Sequence, residues 1–376
     1  MAQHQRFPLL DLARFFAALS VMAFHYGFHG GVTHLYLDAY LPAVGRYAKY
    51  GYLGLDAFFV LSGLVIAWSA RGASAQTFAW RRWLRIYPTF VFAVGVTSLI
   101  VWLAADPRFT VSWPRMMAHL IVDARRLGFR FIDGAYWSIV AELFFYAMVT
   151  VGLAIPALRR HATLCLWAWL AIGAMNEFVL QSPVPAYFLL SRYCGLFITG
   201  MMLYRLHGRR PAWRDLSLLL AAMAFAVASE LQASTERFAV LDVDWSSATV
   251  VLLMLGPILL MYLGMRVQVG ARTASILKLV GALTYPMYLL HQTIGCIFIN
   301  RLAPRTGFPV AVLAATTFVL GLSWLIAEHV EPFLKAVCIA AKARLVAARG
   351  PQASRWLIRL GVRLPSPESP MEVREA

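Results

Sequence analysis

Charge is scarce in this sequence, and acid is scarcer still. Only 14% of the 376 residues are charged, with 18 Asp and Glu against 34 Lys and Arg. Soluble domains carry about 25% charge, so a water-facing globular surface is excluded. Cysteine is limited to Cys165, Cys194, Cys296 and Cys338; none has a metal-ligand spacing, so they read as packing residues and no metal is expected. The N-terminus lacks a charged region followed by a short apolar core and a small-residue cleavage site, so the first apolar run reads as an uncleaved span. No repeat of about 20 to 50 residues is present, and no soluble domain is expected at either end. The formal charge of +16 is spread in short runs between apolar segments, which argues against a nucleic-acid partner.

What is abundant is apolar length. The chain is 60% hydrophobic with a mean hydropathy of +0.66, the composition of a chain whose main solvent is lipid. Windows of about 19 residues mark ten spans, at 9 to 28, 52 to 70, 86 to 104, 134 to 155, 162 to 178, 186 to 204, 216 to 230, 247 to 265, 277 to 299 and 310 to 331. The fold class is therefore all-α, a polytopic membrane protein of about ten transmembrane helices. Residues 1–332 form the membrane domain and 333–376 a basic cytoplasmic C-terminal tail, weakly amphipathic at ARLVAARG and RWLIRLGVRL and suited to lie on anionic lipid. Loops on the side of the N-terminus hold about 22 Lys and Arg against about 11 opposite, which places both termini in the cytoplasm. The acidic stretch SELQASTERFAVLDVDW reads as an outward-facing loop.

The first hydrophobic run, FPLLDLARFFAALSVMAFHYGF, contains Asp11, Arg14 and His25. The eleven-residue step from Arg14 to His25 is close to a whole number of helical turns, so the two share one face, roughly 16 Å apart. Asp11, three residues before Arg14, can pair with its guanidinium. Two readings stand: Arg14 and His25 snorkel to opposite headgroup regions, or they are functional, as intramembrane ionisable residues are by default.

Five local patterns recur in order: DLARFFAALSVMAFH from Asp11, GYLGLDAFFVLSG from Gly51, FAWRRWLRIYP from Phe78, WSIVAELFFY from Trp137 and YPMYLLHQ from Tyr285. Together they resemble the membrane-bound acyltransferase-3 family of bacterial O-acyltransferases, over nearly the whole chain from Asp11 to about Glu331. The resemblance implies transfer of an acyl group, usually acetyl from cytoplasmic acetyl-CoA, to a hydroxyl of an acceptor across the inner membrane. That acceptor is a carbohydrate, a glycolipid or a small molecule, and the process is typically O-acetylation in polysaccharide biosynthesis. No tightly bound cofactor is implied; acetyl-CoA or another acyl-CoA is a substrate. Family members that act on peptidoglycan often carry an extra esterase-like domain, for which the roughly 45 residues after the last span leave no room. The family's arginine and histidine of the first span match Arg14 and His25, its Arg-x-x-Arg matches Arg82 and Arg85, and its Trp-Ser with a downstream Glu matches Trp137, Ser138 and Glu142.

The chemistry of each residue fits those places. His25 has a side chain able to take the acceptor's proton near neutral pH, and an acyl-imidazole relay is the alternative. Glu142 is suited to orient His25 or to pair with an intramembrane cation. Arg81, Arg82 and Arg85 can bind the phosphates of coenzyme A bidentately, or serve as ordinary positive-inside flanks. Arg14 can meet those phosphates or stabilise charge developing on the thioester. The small residues around Asp56 and Ser62 favour close helix packing. Tyr285, Tyr288 and His291 form a polar edge that can line an acceptor entrance or simply pack. The opposing hypothesis is a transporter or flippase without acyl-transfer chemistry, which predicts related halves and broken midplane helices.

Overall fold

The computed structural model describes residues 7–207 and 212–348. With no water in the bilayer core, backbone amides must be satisfied within the segment, which selects helix. Among the described residues there is no strand, and nine helices are long and apolar enough to cross a membrane. The main elements are α1 (Pro8–Phe24), a π-helical turn (His25–His29), α2 (Leu53–Ala70), α3 (Ala75–Ala104), α4 (Tyr136–Ala154), α5 (Ala162–Met175), α6 (Cys194–Leu206), α7 (Trp213–Leu241), α8 (Ser247–Gly264), α9 (Ala271–Thr306), α10 (Phe308–Leu325) and α11 (Glu331–Ala348).

The segment expected as a sixth span does not form one long helix. It is divided into Pro183–Phe188, a short turn at Ser191–Tyr193, and α6. The break falls at Leu190, whose φ of 51° is left-handed. Neighbours satisfy the exposed polar groups: Trp169 Nε1 donates to the Leu189 carbonyl at 2.6 Å and Asn176 Nδ2 to Ser191 Oγ at 2.9 Å. The thirteen residues of α6 still cover about 20 Å.

Four other boundaries move. α3 begins at Ala75, capped by Ser74 Oγ accepting from Thr77 N at 3.2 Å, so Arg81, Arg82 and Arg85 lie on the helix itself. α7 continues to Leu241, through the stretch read as an acidic loop. One of its acids is neutralised in place: Glu230 meets Arg237 at 3.2 Å and Arg192 at 3.8 Å. α9 runs for 36 residues. α10 passes through a π-turn at Ile326–Val330 into α11, so the expected domain edge at 332 is not a break in the helix. α11 returns beside α3, with the Lys342 ammonium 4.2 Å from the Trp80 ring centroid. The remaining tail and its amphipathic segments, 349–376, lie outside the described residues.

The first described residue marks one pole. Phe7 touches Trp68 at the end of α2 (centroids 6.2 Å) and His207 just after α6 (5.2 Å). At the other pole Asp38 pairs with Arg108 at 2.5 Å and Asn300 Nδ2 donates to the Tyr36 carbonyl at 2.7 Å.

Glycines set the closest approaches. A Cβ at Gly54 would fall inside the van der Waals radius of the Ala17 carbonyl oxygen on α1, and one at Gly63 inside that of Phe197 on α6. Without Cβ atoms the backbones lie against each other, as small residues allow in membranes.

Candidate active site

Five helices line a pocket that opens to solvent, with a cavity of about 80 Å³. α1 supplies Arg14; α2 supplies Leu55, Phe58, Phe59 and Ser62; α3 supplies Arg82 and Arg85; α4 supplies Ser138, Glu142 and Tyr146; α9 supplies Gly281, Thr284, Tyr285 and Tyr288. Arg82 and Arg85 both line it, whereas Arg81, although one turn before Arg85 (i, i+4), is rotated by about 100° from Arg82 and is exposed. Arg81 is thus separated from the pocket, against the expectation that all three line one site.

Glu142 is held from two directions. Ser62 Oγ donates to its Oε1 at 3.0 Å, and Tyr146, one helical turn on, donates its phenol to the same oxygen. The expected hydrogen bond from Glu142 to His25 is not formed among the described residues. The register of α4 turns Glu142 towards α2 and Tyr146 towards α3, whereas His25 sits at the far end of α1.

The pocket is strongly cationic. Arg14 pairs with Asp11 at 3.5 Å, as the i, i+3 spacing predicts. Arg82 is buried with its guanidinium above the Tyr146 and Phe78 rings, and its Nε has no hydrogen-bond partner. Among the described residues neither Arg82 nor Arg85 forms an ion pair with a carboxylate. Buried guanidinium without a counter-charge is costly, so an anionic ligand with several oxygens matches this wall.

A second group of side chains continues from the pocket towards the opposite pole. Ser138 Oγ lies 2.7 Å from Tyr288 OH. The Tyr288 ring meets His291 at 5.4 Å between centroids, and His291 meets His25 at 5.2 Å. Arg14 lines the pocket beside the Gly281 and Thr284 positions of α9, and His25 meets α9 again at His291, so the predicted stripe on α1 follows α9. Gly281 leaves room for Asp11, whose Cβ would stand 2.6 Å from a Cβ there. His25 opens the π-turn, which also carries His29 with its ring 5.7 Å away; such turns recur at functional sites.

One expected residue lies elsewhere. Trp137 packs against Tyr193 and Phe59 rather than lining the pocket. Asp56 is buried in the field of Glu230, Arg237 and Arg192. Tyr146 and Tyr26 had no role assigned from sequence. The i+4 step from Glu142 is a signal that finds Tyr146; nothing local marks Tyr26, whose OH donates to the His291 carbonyl at 2.6 Å.

Asp133, in the connection before α4, is fully buried and ties that loop to α9: it accepts from Thr293 N at 2.8 Å and Ala135 N at 2.9 Å. Burial pushes its carboxyl up to about 6, against the pull of those N–H groups. Its proton is therefore bound more tightly in the folded protein than at the ordinary 3.8. The resulting stabilisation is complete below about pH 4, is lost as pH rises through about 6, and amounts to about 3 kcal/mol at most. Melting in detergent from pH 4 to 7 should show this decline in wild type and its absence in Asp133→Asn; parallel slopes would refute the assignment.

A family model described as an acyltransferase domain matches residues 7–328. Among characterised proteins, the chain is similar to the acyltransferase MdmB of Streptomyces mycarofaciens, 30% identical over 176 residues. That alignment covers 45% of this chain and 44% of the relative, so the chain spans less than half of the relative it matches. No solved structure matches the chain.

Proposed function

The chain belongs to the acyltransferase-3 family, and from that membership we propose that it is a membrane O-acyltransferase that moves an acetyl group from acetyl-CoA to a sugar hydroxyl of a surface or exported glycan or glycolipid. The observation that carries this reading is the pocket's arrangement. Two guanidiniums without carboxylate partners among the described residues, Arg82 and Arg85, line a pocket that also holds Tyr288, and Tyr288 leads through His291 to His25 by ring contacts.

On this reading the phosphates of the donor lie on Arg82 and Arg85, and the pantetheine arm passes Phe58 and Phe59. Arg14, which lines the same pocket as Arg82 and Arg85, adds a third cation for those phosphates. The acceptor hydroxyl attacks the carbonyl carbon while His25 takes its proton. The carbon–sulfur bond breaks, and the proton passes from His25 to the departing thiolate. Glu142, held by Ser62 and Tyr146, balances part of the cationic wall rather than orienting the imidazole. The pole at which Phe7, Trp68 and His207 meet is taken as the cytoplasmic one, in a bacterial inner membrane, because the sequence's excess of Lys and Arg lies in the loops on the side of the N-terminus.

Protein in vesicles, given labelled acetyl-CoA with glucose, N-acetylglucosamine and a bacterial lipid extract as acceptors, should release CoA thiol. Loss of one charge-assisted hydrogen bond predicts that Arg85→Ala raises the donor KM by about 10-fold to 100-fold, with a smaller change in kcat. An unchanged donor KM would remove the phosphates from this wall. Absence of thiol release by the wild type would overturn the acyltransferase reading.

A further inference from the structure

We propose that His291 is a positioning residue for His25, fixing the tautomer in which His25 Nε2 is the free base; this rests on the reading of His25 as the proton acceptor. The two rings lie 5.2 Å apart at 48°. His291 Nδ1 is 2.8 Å from the Tyr288 carbonyl oxygen. A carbonyl only accepts, so Nδ1 carries the hydrogen and His291 Nε2 presents a lone pair. That nitrogen is buried without a partner, and so is Nδ1 of His25.

Two adjacent rings thus carry unmatched nitrogens, one of which must be an acceptor. If His25 Nδ1 carries its hydrogen, a small rotation lets it donate to His291 Nε2 and satisfies both atoms. His25 Nε2 is then left as the lone pair that faces the reaction. The other tautomer leaves two lone pairs facing each other and a base with its proton already in place. Orientation of an imidazole through its second nitrogen is the general means by which a catalytic histidine is held ready.

The surroundings hold the two rings in register. Tyr26, the residue after His25, donates to the His291 carbonyl at 2.6 Å. Its phenol fills the space that a Cβ at Gly295 would occupy. The π-turn and α9 are therefore locked together at the level of the two imidazoles. His29, the other imidazole against His25, is instead stacked on Phe24 at 5.2 Å and 15°.

Two substitutions separate this role from a structural one. In His291→Gln the side-chain oxygen stands near the Nε2 position and keeps the acceptor. In His291→Asn the amide nitrogen stands near Nδ1 and keeps only the bond to Tyr288. Acetyl-CoA-dependent transfer is expected to fall about 100-fold in kcat for Asn with an unchanged donor KM, and to stay within about tenfold of wild type for Gln. Equal losses, or a Gln variant worse than Asn, would overturn the proposal. Histidine-labelled nitrogen NMR of wild-type protein, with His25 assigned by difference from His25→Gln, reads the tautomer directly and does not depend on whether the His291 variants fold. Protonation at His25 Nδ1 is expected; protonation at Nε2 alone overturns the proposal. Wild-type turnover abolished by His25→Gln but untouched by His291→Asn would sink the pairing alone. Full activity in His25→Gln would sink the underlying mechanism.

Discussion

His25→Gln should lower acetyl transfer by roughly 10³-fold while the protein still melts within a few degrees of wild type. The magnitude is that of a positioned general base, about 10²-fold to 10⁴-fold. Folding should survive because Gln is close to His in size, and the ring's contacts with Phe24, His29 and His291 are edge or tilted contacts rather than a filled core position. The donor KM should stay unchanged, since His25 does not line the cationic pocket. Turnover and melting curves on the same preparation decide the matter. A fully active His25→Gln protein would move proton transfer to another group.

The largest effect on stability should come from a single methyl group. Gly200, on α6, faces α2 so closely that a Cβ would overlap the Val60 carbonyl oxygen and stand 2.7 Å from Leu64 N. Both atoms are backbone and neither can rotate away. Gly200→Ala should therefore force α6 from α2 and cost at least about 3 kcal/mol, in the upper range for overpacking. In practice this means a strong loss of detergent-stable protein. Gly152 on α4 and Gly256 on α8 have open space where a methyl group would stand, with no atom within 4 Å, so alanine there should be neutral or gain up to about 1 kcal/mol of helix propensity. Equal melting temperatures for the three alanine variants would show that the α2–α6 approach is not a constraint.

The pattern of success and error along the chain follows the range of the interactions involved. Hydropathy windows locate the spans because crossing lipid is a demand on each segment separately. They miss the ends of α3 and α7, because a helix does not stop where lipid stops: α3 begins at the Ser74 cap, ahead of Arg81 to Arg85, and α7 continues through the paired Glu230 and Arg237. The broken sixth segment is equally out of reach, since its break is made tolerable by Trp169 and Asn176 on a neighbouring segment. Spacing within one helix works well for Asp11 with Arg14 and for Arg82 with Arg85. It fails for Glu142, whose partner depends on which helix stands opposite.

Composition, period and local motif are enough to establish an all-α membrane protein, the order of its apolar segments, the family to which it belongs and most residue types of its cationic pocket. Each of these is a property of a segment taken alone. That Glu142 answers to Ser62 and Tyr146, that Arg81 turns away, and that His291 rather than a carboxylate faces His25 emerge only once the helices are packed. Those outcomes depend on the rotation and close approach of helices that are as much as 266 residues apart in the chain, from His25 to His291. Helix rotation is set by side-chain packing summed over whole faces, and no single segment carries that information.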